Sequence, residues 1–253
     1  MIYSKSWSEL QTMDRCNSIV LDILRRLKEK VAPGVTTADL DRMADEWTYE
    51  AGSLPAFKGY RGYPATLCTS INDVIVHGIP ADRKLEEGDI VGLDMGVIVD
   101  GYYGDSAITV GVGSVSPEAQ RLLEVTEKSL SLGIEQAAVG NRISDIGHAV
   151  YSYISKYGYT VPVDFTGHGI GRALHEDPQV PNFGDPGRGP RITEGMVLAI
   201  EPMVIAGGTS DVVIADDQWT ASTADGSLAA HFERSVAVTS KGPWILGEMS
   251  PPR

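Results

Sequence analysis

The chain has 253 residues, enough for one large domain or two small ones with a real core. At 42% hydrophobic and 22% charged it has the balance of a globular protein, which excludes wholesale disorder. Its 34 acids outweigh 21 bases, for a net charge of -13, and this excludes a general nucleic-acid or anionic-membrane binder. The one basic run, Arg25-Arg26-Leu27-Lys28, has the spacing of a solvated helix face. Cys16 and Cys68 are too few for a disulfide framework. The leading MIYSKSWSEL has no apolar signal core, and no stretch reaches transmembrane length. The expectation is a cytoplasmic protein.

Ser6-Trp7-Ser8-Glu9 reads as a capping box, and Met13, Cys16, Val20, Ile23, Leu24 and Leu27 follow at helical spacing. Pro33-Gly34 stops that helix. Thr37 caps a second helix, with Leu40, Met43, Ala44 and Trp47 on one face, ending near Gly52. β-like sequence follows over Thr66–Val76, Ile90–Val99 and Tyr102–Val110, the last two joined by the hairpin signal Asp100-Gly101. Ser116-Pro117 then starts a helix that Gly140 ends. Ser144 caps another, with Ile146, Val150 and Ile154 inside, ending at Gly158. The remaining strands are expected at Thr160–Phe165, Met196–Ile205 and His231–Val238, with a longer insert containing Gly207-Gly208 and Trp219.

The second half thus repeats the first. Across the helix pairs, Arg15/Arg121, Leu24/Leu130, Glu29/Glu135, Ala32/Ala138, Gly34/Gly140, Asp39/Asp145 and Gly52/Gly158 are identical. Helices first and antiparallel strands after, in each half, read as α+β. No low-complexity linker divides the halves. One domain with an internal pseudo-twofold is expected, with repeats over about 6–112 and 114–245 and a loose tail over 248–253.

A doubled phrase carries the chemistry. EGDIVGLDMGV (87–97) and EGMVLAIEPMV (194–204) both interrupt an apolar run with a carboxylate, so that Asp94 answers to Glu201. A buried acid costs several kcal/mol, on the order of a domain's whole margin, unless it is paired or holds a metal. If Asp100-Gly101 is a two-residue turn, Asp105 faces Gly96 and Asp94 sits diagonally on the same face. Two carboxylates so placed can share a pair of metal ions. GDSAITV (104–110) aligned with FERSVAV (232–238) matches Asp105 to Glu233. A pseudo-twofold brings the four acids together, where two divalent cations neutralise them and without which they repel.

The chain has five histidines. Three lie in glycine-flanked or proline-flanked segments: His77-Gly78-Ile79-Pro80, Gly167-His168-Gly169 and His175-Glu176-Asp177-Pro178. Flanking glycines let backbone approach a ligand closely. His168 is the candidate nitrogen ligand. His77 and His175 are counterparts, each suited to bond a substrate carbonyl or an oxyanion. His148 reads as a helix residue and His231 as an ordinary core histidine.

SINDVIVHGIP, GLDMGV with YYGDSA, TGHGIGRALHEDP, AIEPM and HFERSVAVT together resemble the type I methionine aminopeptidases, over about residues 5 to 245. The resemblance implies the pita-bread fold and a single catalytic domain over 1–253. It also implies a dinuclear site of Asp94, Asp105, His168, Glu201 and Glu233, with Asp105 and Glu233 bridging and Asp94 mainly on the second metal. By the same resemblance a hydroxide held by two divalent ions (Mn, Fe, Co or Zn) attacks the first peptide bond. Glu201 moves the proton, His175 stabilises the oxyanion and His77 contacts the substrate amide. The methionine pocket would be lined by Tyr60, Tyr63, Cys68, Leu174 and Trp219. Leu174 stands where family members often carry an aromatic. The substrates implied are N-termini of nascent polypeptides and peptides with a small second residue, met by a monomer in transient association with the ribosome. The chain lacks the long N-terminal extension of some type I members and the large insert of type II enzymes, as the short, bacterial-style form does.

A prolidase or aminopeptidase P relative, cleaving Xaa-Pro bonds, is the alternative. Those enzymes usually add an N-terminal domain, whereas the first helix here begins near residue 6. A non-catalytic binding protein on the same fold would have lost metal ligands, and all five are present.

Overall fold

Helix caps set the frame. In the computed structural model, which describes residues 2–248 and residue 250, helix α1 (Trp7–Lys28) starts at the predicted capping box. There the Glu9 carboxylate accepts the Ser6 N–H at 2.8 Å. Helix α2 (Thr37–Glu50) is capped one residue earlier than expected, by Thr36, whose hydroxyl accepts the Asp39 N–H at 3.0 Å. Thr37 instead turns its hydroxyl onto the Ala81 carbonyl at 2.9 Å. Helix α3 (Pro117–Glu135) starts at Ser116, as expected. Helix α4 (Ile143–Ile154) has its N-cap at Arg142 rather than Ser144. Asp145 accepts the Arg142 N–H at 2.7 Å, while Ser144 donates to the Arg188 carbonyl. The repeated Asp39 and Asp145 therefore do one job: each closes back from the first turn onto its N-cap. The repeated Gly52 and Gly158 also correspond, with φ of 71° and 77°, left-handed values that suit glycine. Helices α1 and α3 end before their expected stops, at Lys28 and Glu135, while α2 ends at Glu50, near Gly52 as expected.

The first half supplies β1 (Leu54–Pro55), β2 (Leu67–Ile71), β3 (Val74–Val76), β4 (Ile90–Val99) and β5 (Tyr102–Gly111). The second supplies β6 (Gly167–Gly169), β7 (Glu176–Val180), β8 (Val197–Ile200), β9 (Met203–Ile205), β10 (Val212–Ile214), β11 (Ala221–Thr223), β12 (Ala229–His231), β13 (Glu233–Thr239) and β14 (Gly242–Ile245). Nine strands form one antiparallel sheet, in the path β1-β4-β5-β13-β8-β6-β7, with β2 also on β4 and β14 also on β13. The halves join where β5 meets β13. The architecture is the expected α+β.

Several expected strands are broken, each for a local reason. Thr66–Val76 divides at Asn72, whose φ is 56°. Met196–Ile205 divides at Glu201-Pro202, because proline has no N–H for the ladder. His231–Val238 divides at Phe232. Thr160–Phe165 makes only the single bridge Thr160 to Ile205, and Pro162 interrupts the rest. Strands β6 and β7 are unexpected, since Gly-His-Gly and Asp-Pro look like loop. Of the tail expected over 248–253, residues 249 and 251–253 lie outside the described residues.

Each helix pair covers its own half of the sheet. Leu24, Leu27 and Leu40 bury against Leu67, Leu93 and Met95. Leu130, Ile134 and Ile146 bury against Leu198, Ile200 and Val236. Burial of a side chain this size contributes about 1.5–3 kcal/mol. The helices therefore load one face of the sheet, and its other face is free to carry the site.

Helix α1 lies directly on β5 at Gly104, where an added Cβ would sit 2.7 Å from Cys16 Cβ and 2.9 Å from the Asn17 nitrogen. Gly104→Ala should destabilise the protein by about 1–3 kcal/mol, read as a lowered urea midpoint. An unchanged midpoint would contradict so close a helix–sheet contact.

Candidate metal centre

Strand register assembles the acids. The hairpin pairs Gly96 with Asp105 and Asp94 with Ala107, as a two-residue Asp100-Gly101 turn requires. Ala107 also pairs with Glu233 on its other side, so Cys68, Asp94, Ala107 and Glu233 form one row across four strands. The adjacent row, two residues along each strand, holds Gly96 and Asp105, then Ser235, Ala199 and His168. The Ser235 hydroxyl donates to the Asp105 carbonyl at 2.9 Å and ties that row across β5 and β13. Residues two apart on a strand share a face, so both rows point the same way. Glu201 follows Ile200, which pairs with Arg234, and so stands beside Glu233 at the end of β8. The other members of the rows are small: Ala107, Gly96, Ser235 and Ala199. Their size leaves room above the sheet among the ligand-type side chains.

That room is a cavity of about 180 Å³, and all twelve residues singled out from the sequence line it. Asp105, Glu233 and His168 are buried, and Asp94 and Glu201 are half-buried. Asp94 Oδ1, Asp105 Oδ1 and Glu233 Oε1 are buried with no hydrogen-bond partner. Burial, with Glu201 adding to it, pushes the Asp94 carboxyl up to about 7. Burial and the neighbouring acids push Asp105 and Glu233 well above the usual carboxylate range. Among the described residues no lysine or arginine side chain forms an ion pair with these three acids, and Arg234 only partly offsets the rise at Glu233, so the cluster calls for positive charge. Asp105, His168 and Glu233 offer three ligand atoms within 4.8 Å of one another, as do Glu201, His231 and Glu233. Oxygen-rich donors with imidazole suit a first-row divalent ion, and the residues fit such a group.

His168 is oriented toward the acids. Its Nδ1 lies 3.0 Å from the Gly169 carbonyl, which accepts its proton, so the lone pair of Nε2 faces the acids. Nε2 is 3.5 Å from Glu201 Oε1 and 4.0 Å from Asp105 Oδ2. The glycines around His168 serve neighbouring strands rather than a ligand. A Cβ at Gly167 would lie 2.4 Å from the Ala199 carbonyl oxygen, and one at Gly169 2.2 Å from that of Asp177. Gly78, beside His77, likewise lies against the Thr69 carbonyl.

The two other histidines border the cavity. The His175 ring lies 4.3 Å from the His168 ring, tilted by 49°, and its Nδ1 lies 2.9 Å from the Tyr60 hydroxyl. Burial and the His168 ring lower its pKa to about 4, and burial also lowers that of His77, so both are neutral at pH 7. His77 follows β3 and Trp219 precedes β11, and the β3–β11 pairing brings these rings to 6.2 Å. Trp219 meets Tyr63 edge-on at 5.1 Å. The Tyr63 hydroxyl is 3.1 Å from the Leu67 and Gly78 carbonyls, which fixes that wall. Cys68 and Leu174 are buried at the cavity side.

Sequence reasoning passed over three residues here. Phe57 and Arg61 also line the cavity. His231, expected to be an ordinary core histidine, is buried but places Nε2 3.3 Å from Glu201 Oε2. Its position two residues before Glu233, hence on the same side of the chain, was the available signal. His148 sits on α4, away from the cavity, as expected.

A cluster of buried acids, open to a cavity walled by aromatic rings and two neutral histidines, fits a metal-dependent hydrolase. The profile of metallopeptidase family M24 matches residues 11–240, and the chain belongs to that family. The methionine aminopeptidase of Clostridium acetobutylicum is 49% identical over 247 residues, covering 97% of this chain and 98% of its own. Methionine aminopeptidase 1 of Bacillus subtilis is 45% identical over 246 residues, covering 97% and 99%. The crystal structure of the Rickettsia prowazekii methionine aminopeptidase superposes with a TM-score of 0.96 at 39% identity, covering 98% of this chain and all of that one. Prolidase from Pyrococcus furiosus shares the fold, with a TM-score of 0.79 at 20% identity over 98% of this chain and 66% of its own. The fold is the pita-bread fold that the sequence resemblance implied.

Protonation of the cluster gives a signed pH dependence. In the metal-free protein the carboxyls of Asp94, Asp105 and Glu233 take up protons at higher pH than in the unfolded chain, where they do so near pH 4. Their contribution is full at low pH and is lost as pH rises through the folded values. His77 and His175, with lowered values, oppose it only below about pH 6.5. Chelated protein should therefore gain thermal stability as pH falls from about 8.5 to about 7, and saturating divalent metal should flatten that slope. Calorimetry checks it; a Tm that falls over this window in the metal-free protein would contradict the proton uptake.

Proposed function

We propose that this chain is a methionyl aminopeptidase: it hydrolyses the first peptide bond of peptides and nascent polypeptides and releases N-terminal methionine, preferring a small second residue. The observation that carries this reading is the cavity itself. The acids form its floor, and Tyr63, Cys68, Leu174 and Trp219 give it an apolar side wall. An unbranched apolar side chain fits such a wall while its backbone lies over the acids. Methionine aminopeptidases aligned along almost the whole chain support the same reading.

Asp94, Asp105, His168, Glu201 and Glu233 would hold two divalent cations. Bound there, such ions lower the pKa of water and polarise a carbonyl. Glu201 accepts the proton of the attacking water and delivers it to the leaving amine. With the Tyr60 hydroxyl donating to Nδ1 of neutral His175, 2.9 Å away, the His175 proton would sit on Nε2 and stabilise the developing oxyanion. His77 holds the substrate amide on the opposite side of the cavity. The Asp94 end of the cluster anchors the free α-amine, which restricts cleavage to the first bond. Crowding by Tyr60, Tyr63 and His77 accounts for the preference for a small second residue.

Residues 1–253 act in this reading as a single catalytic domain, a monomer in the cytoplasm whose substrates emerge from the ribosome. No helix among the described residues is long and apolar enough to cross a membrane. The Xaa-Pro alternative has only fold-level likeness behind it.

Purified protein loaded with Mn, Fe, Co or Zn in turn should release methionine from Met-Ala-Ser faster than it cleaves any Xaa-Pro substrate. Glu201→Ala should lower kcat by about 10²–10⁴-fold, measured on the same peptide. Faster Xaa-Pro cleavage, or full activity in Glu201→Ala, would sink the proposal.

A further inference from the structure

We infer that the N-terminal segment Ser4–Lys5 is a positioning element of the active site, holding the loop that carries Leu174 and His175 through a buried ion pair between Lys5 and Glu176; this rests on the aminopeptidase reading above. The pair is short and shielded: Lys5 Nζ lies 2.6 Å from Glu176 Oε2, and the two side chains are 6% and 11% exposed. The segment is seated by its backbone as well. The Lys5 N–H donates to the Gly195 carbonyl at 2.7 Å, and a Cβ at Gly195 would lie 2.9 Å from the Lys5 carbonyl oxygen.

Glu176 uses its other oxygen on the loop. Oε1 accepts the Arg172 N–H at 2.8 Å and the Ala173 N–H at 3.3 Å. One carboxylate thus closes the turn Gly171–Ala173 and fastens it to the N-terminal segment. Gly171 has no side chain because the pair occupies that space: a Cβ there would be 2.5 Å from Lys5 Cε and 2.7 Å from Glu176 Oε1. The loop's upstream end is fixed to the sheet, with the Gly171 carbonyl accepting the Tyr103 N–H at 2.9 Å. Between these anchors stand Leu174, buried at the cavity side, and His175, with its Nδ1 at the Tyr60 hydroxyl.

The chemistry gives this pair a role beyond packing. Removing one partner of a buried ion pair leaves an unpaired charge, which the structure relieves by moving the loop toward water. Residue 175 is the immediate neighbour of Glu176, so its ring moves with that carboxylate. Displacement of a catalytic donor by 1 Å costs on the order of 10²-fold in rate. Asp94, Asp105, Glu201 and Glu233 lie outside this loop, and His168 lies on β6, upstream of the anchor at Gly171, so metal binding is expected to survive the change.

The test compares wild type, Lys5→Met and Lys5→Arg on Met-Ala-Ser, with metal affinity measured separately by calorimetry. Lys5→Met should lower kcat by about 10–100-fold with KM changed less than about 3-fold and metal affinity unchanged, and Lys5→Arg should recover most of kcat. Amide hydrogen exchange gives a readout that needs no activity: the Arg172 and Ala173 amides should exchange at least about 10-fold faster in Lys5→Met, with β4 unaffected. Wild-type kcat and unchanged exchange in Lys5→Met would overturn the inference, as would a loss of metal affinity alongside kcat. A wild type that does not turn over Met-Ala-Ser would instead refute the aminopeptidase reading, and the exchange of the two loop amides would still decide the role of the pair.

Discussion

Burial of several carboxylates that also repel one another is the constraint on which the rest of the structure depends. Asp94, Asp105 and Glu233 each keep an unpartnered oxygen, and each is pushed above the usual carboxylate range. Such an arrangement survives only where the surroundings over-determine it and a cation relieves it. The surroundings here are an antiparallel sheet covered by helix pairs on its other face. Register brings Asp94, Glu233, Asp105 and His168 into two adjacent rows, and small residues occupy the positions between them. Glu201 joins from the end of β8, where Pro202 stops the strand and turns the chain.

The two halves contribute equally to the floor and unequally to the walls. Asp94 and Asp105 come from β4 and β5, while Glu201 and Glu233 come from the end of β8 and the start of β13. His168 has no counterpart in the first half. The longer second-half insert carries the β10–β11 hairpin, which delivers Trp219 to the cavity, and the first half supplies Tyr60, Tyr63 and Cys68. The repeat builds a symmetric acid cluster, and the additions give the cavity an apolar side and a side lined by histidines.

The acid cluster was legible because its signal is local and periodic. Asp100-Gly101 sets the β4–β5 register by turn geometry alone, and the doubled phrase marks Asp94 and Glu201 as matched interruptions of apolar runs. The caps of α2 and α4 were misplaced by one and two residues because Thr36, Thr37, Arg142 and Ser144 compete for one role. Position three residues before Asp39 and Asp145 decides it, not the hydroxyl. Strands β6 and β7 were hidden because glycine and proline serve close strand approach there, a tertiary reason with no local signature. The contacts of His231 with Glu201 and of Lys5 with Glu176 depend on which strands and segments become neighbours across 30 and 171 positions of sequence. No pattern within one element announces them.

The most direct test of the acid cluster as a dinuclear centre is metal stoichiometry. Isothermal titration of chelated protein with Mn(II) or Co(II) should show two ions per chain, and Asp94→Asn should lose the weaker one while keeping its fold. A wild type that binds no divalent ion, or an Asp94→Asn variant that binds both as wild type does, would contradict the account.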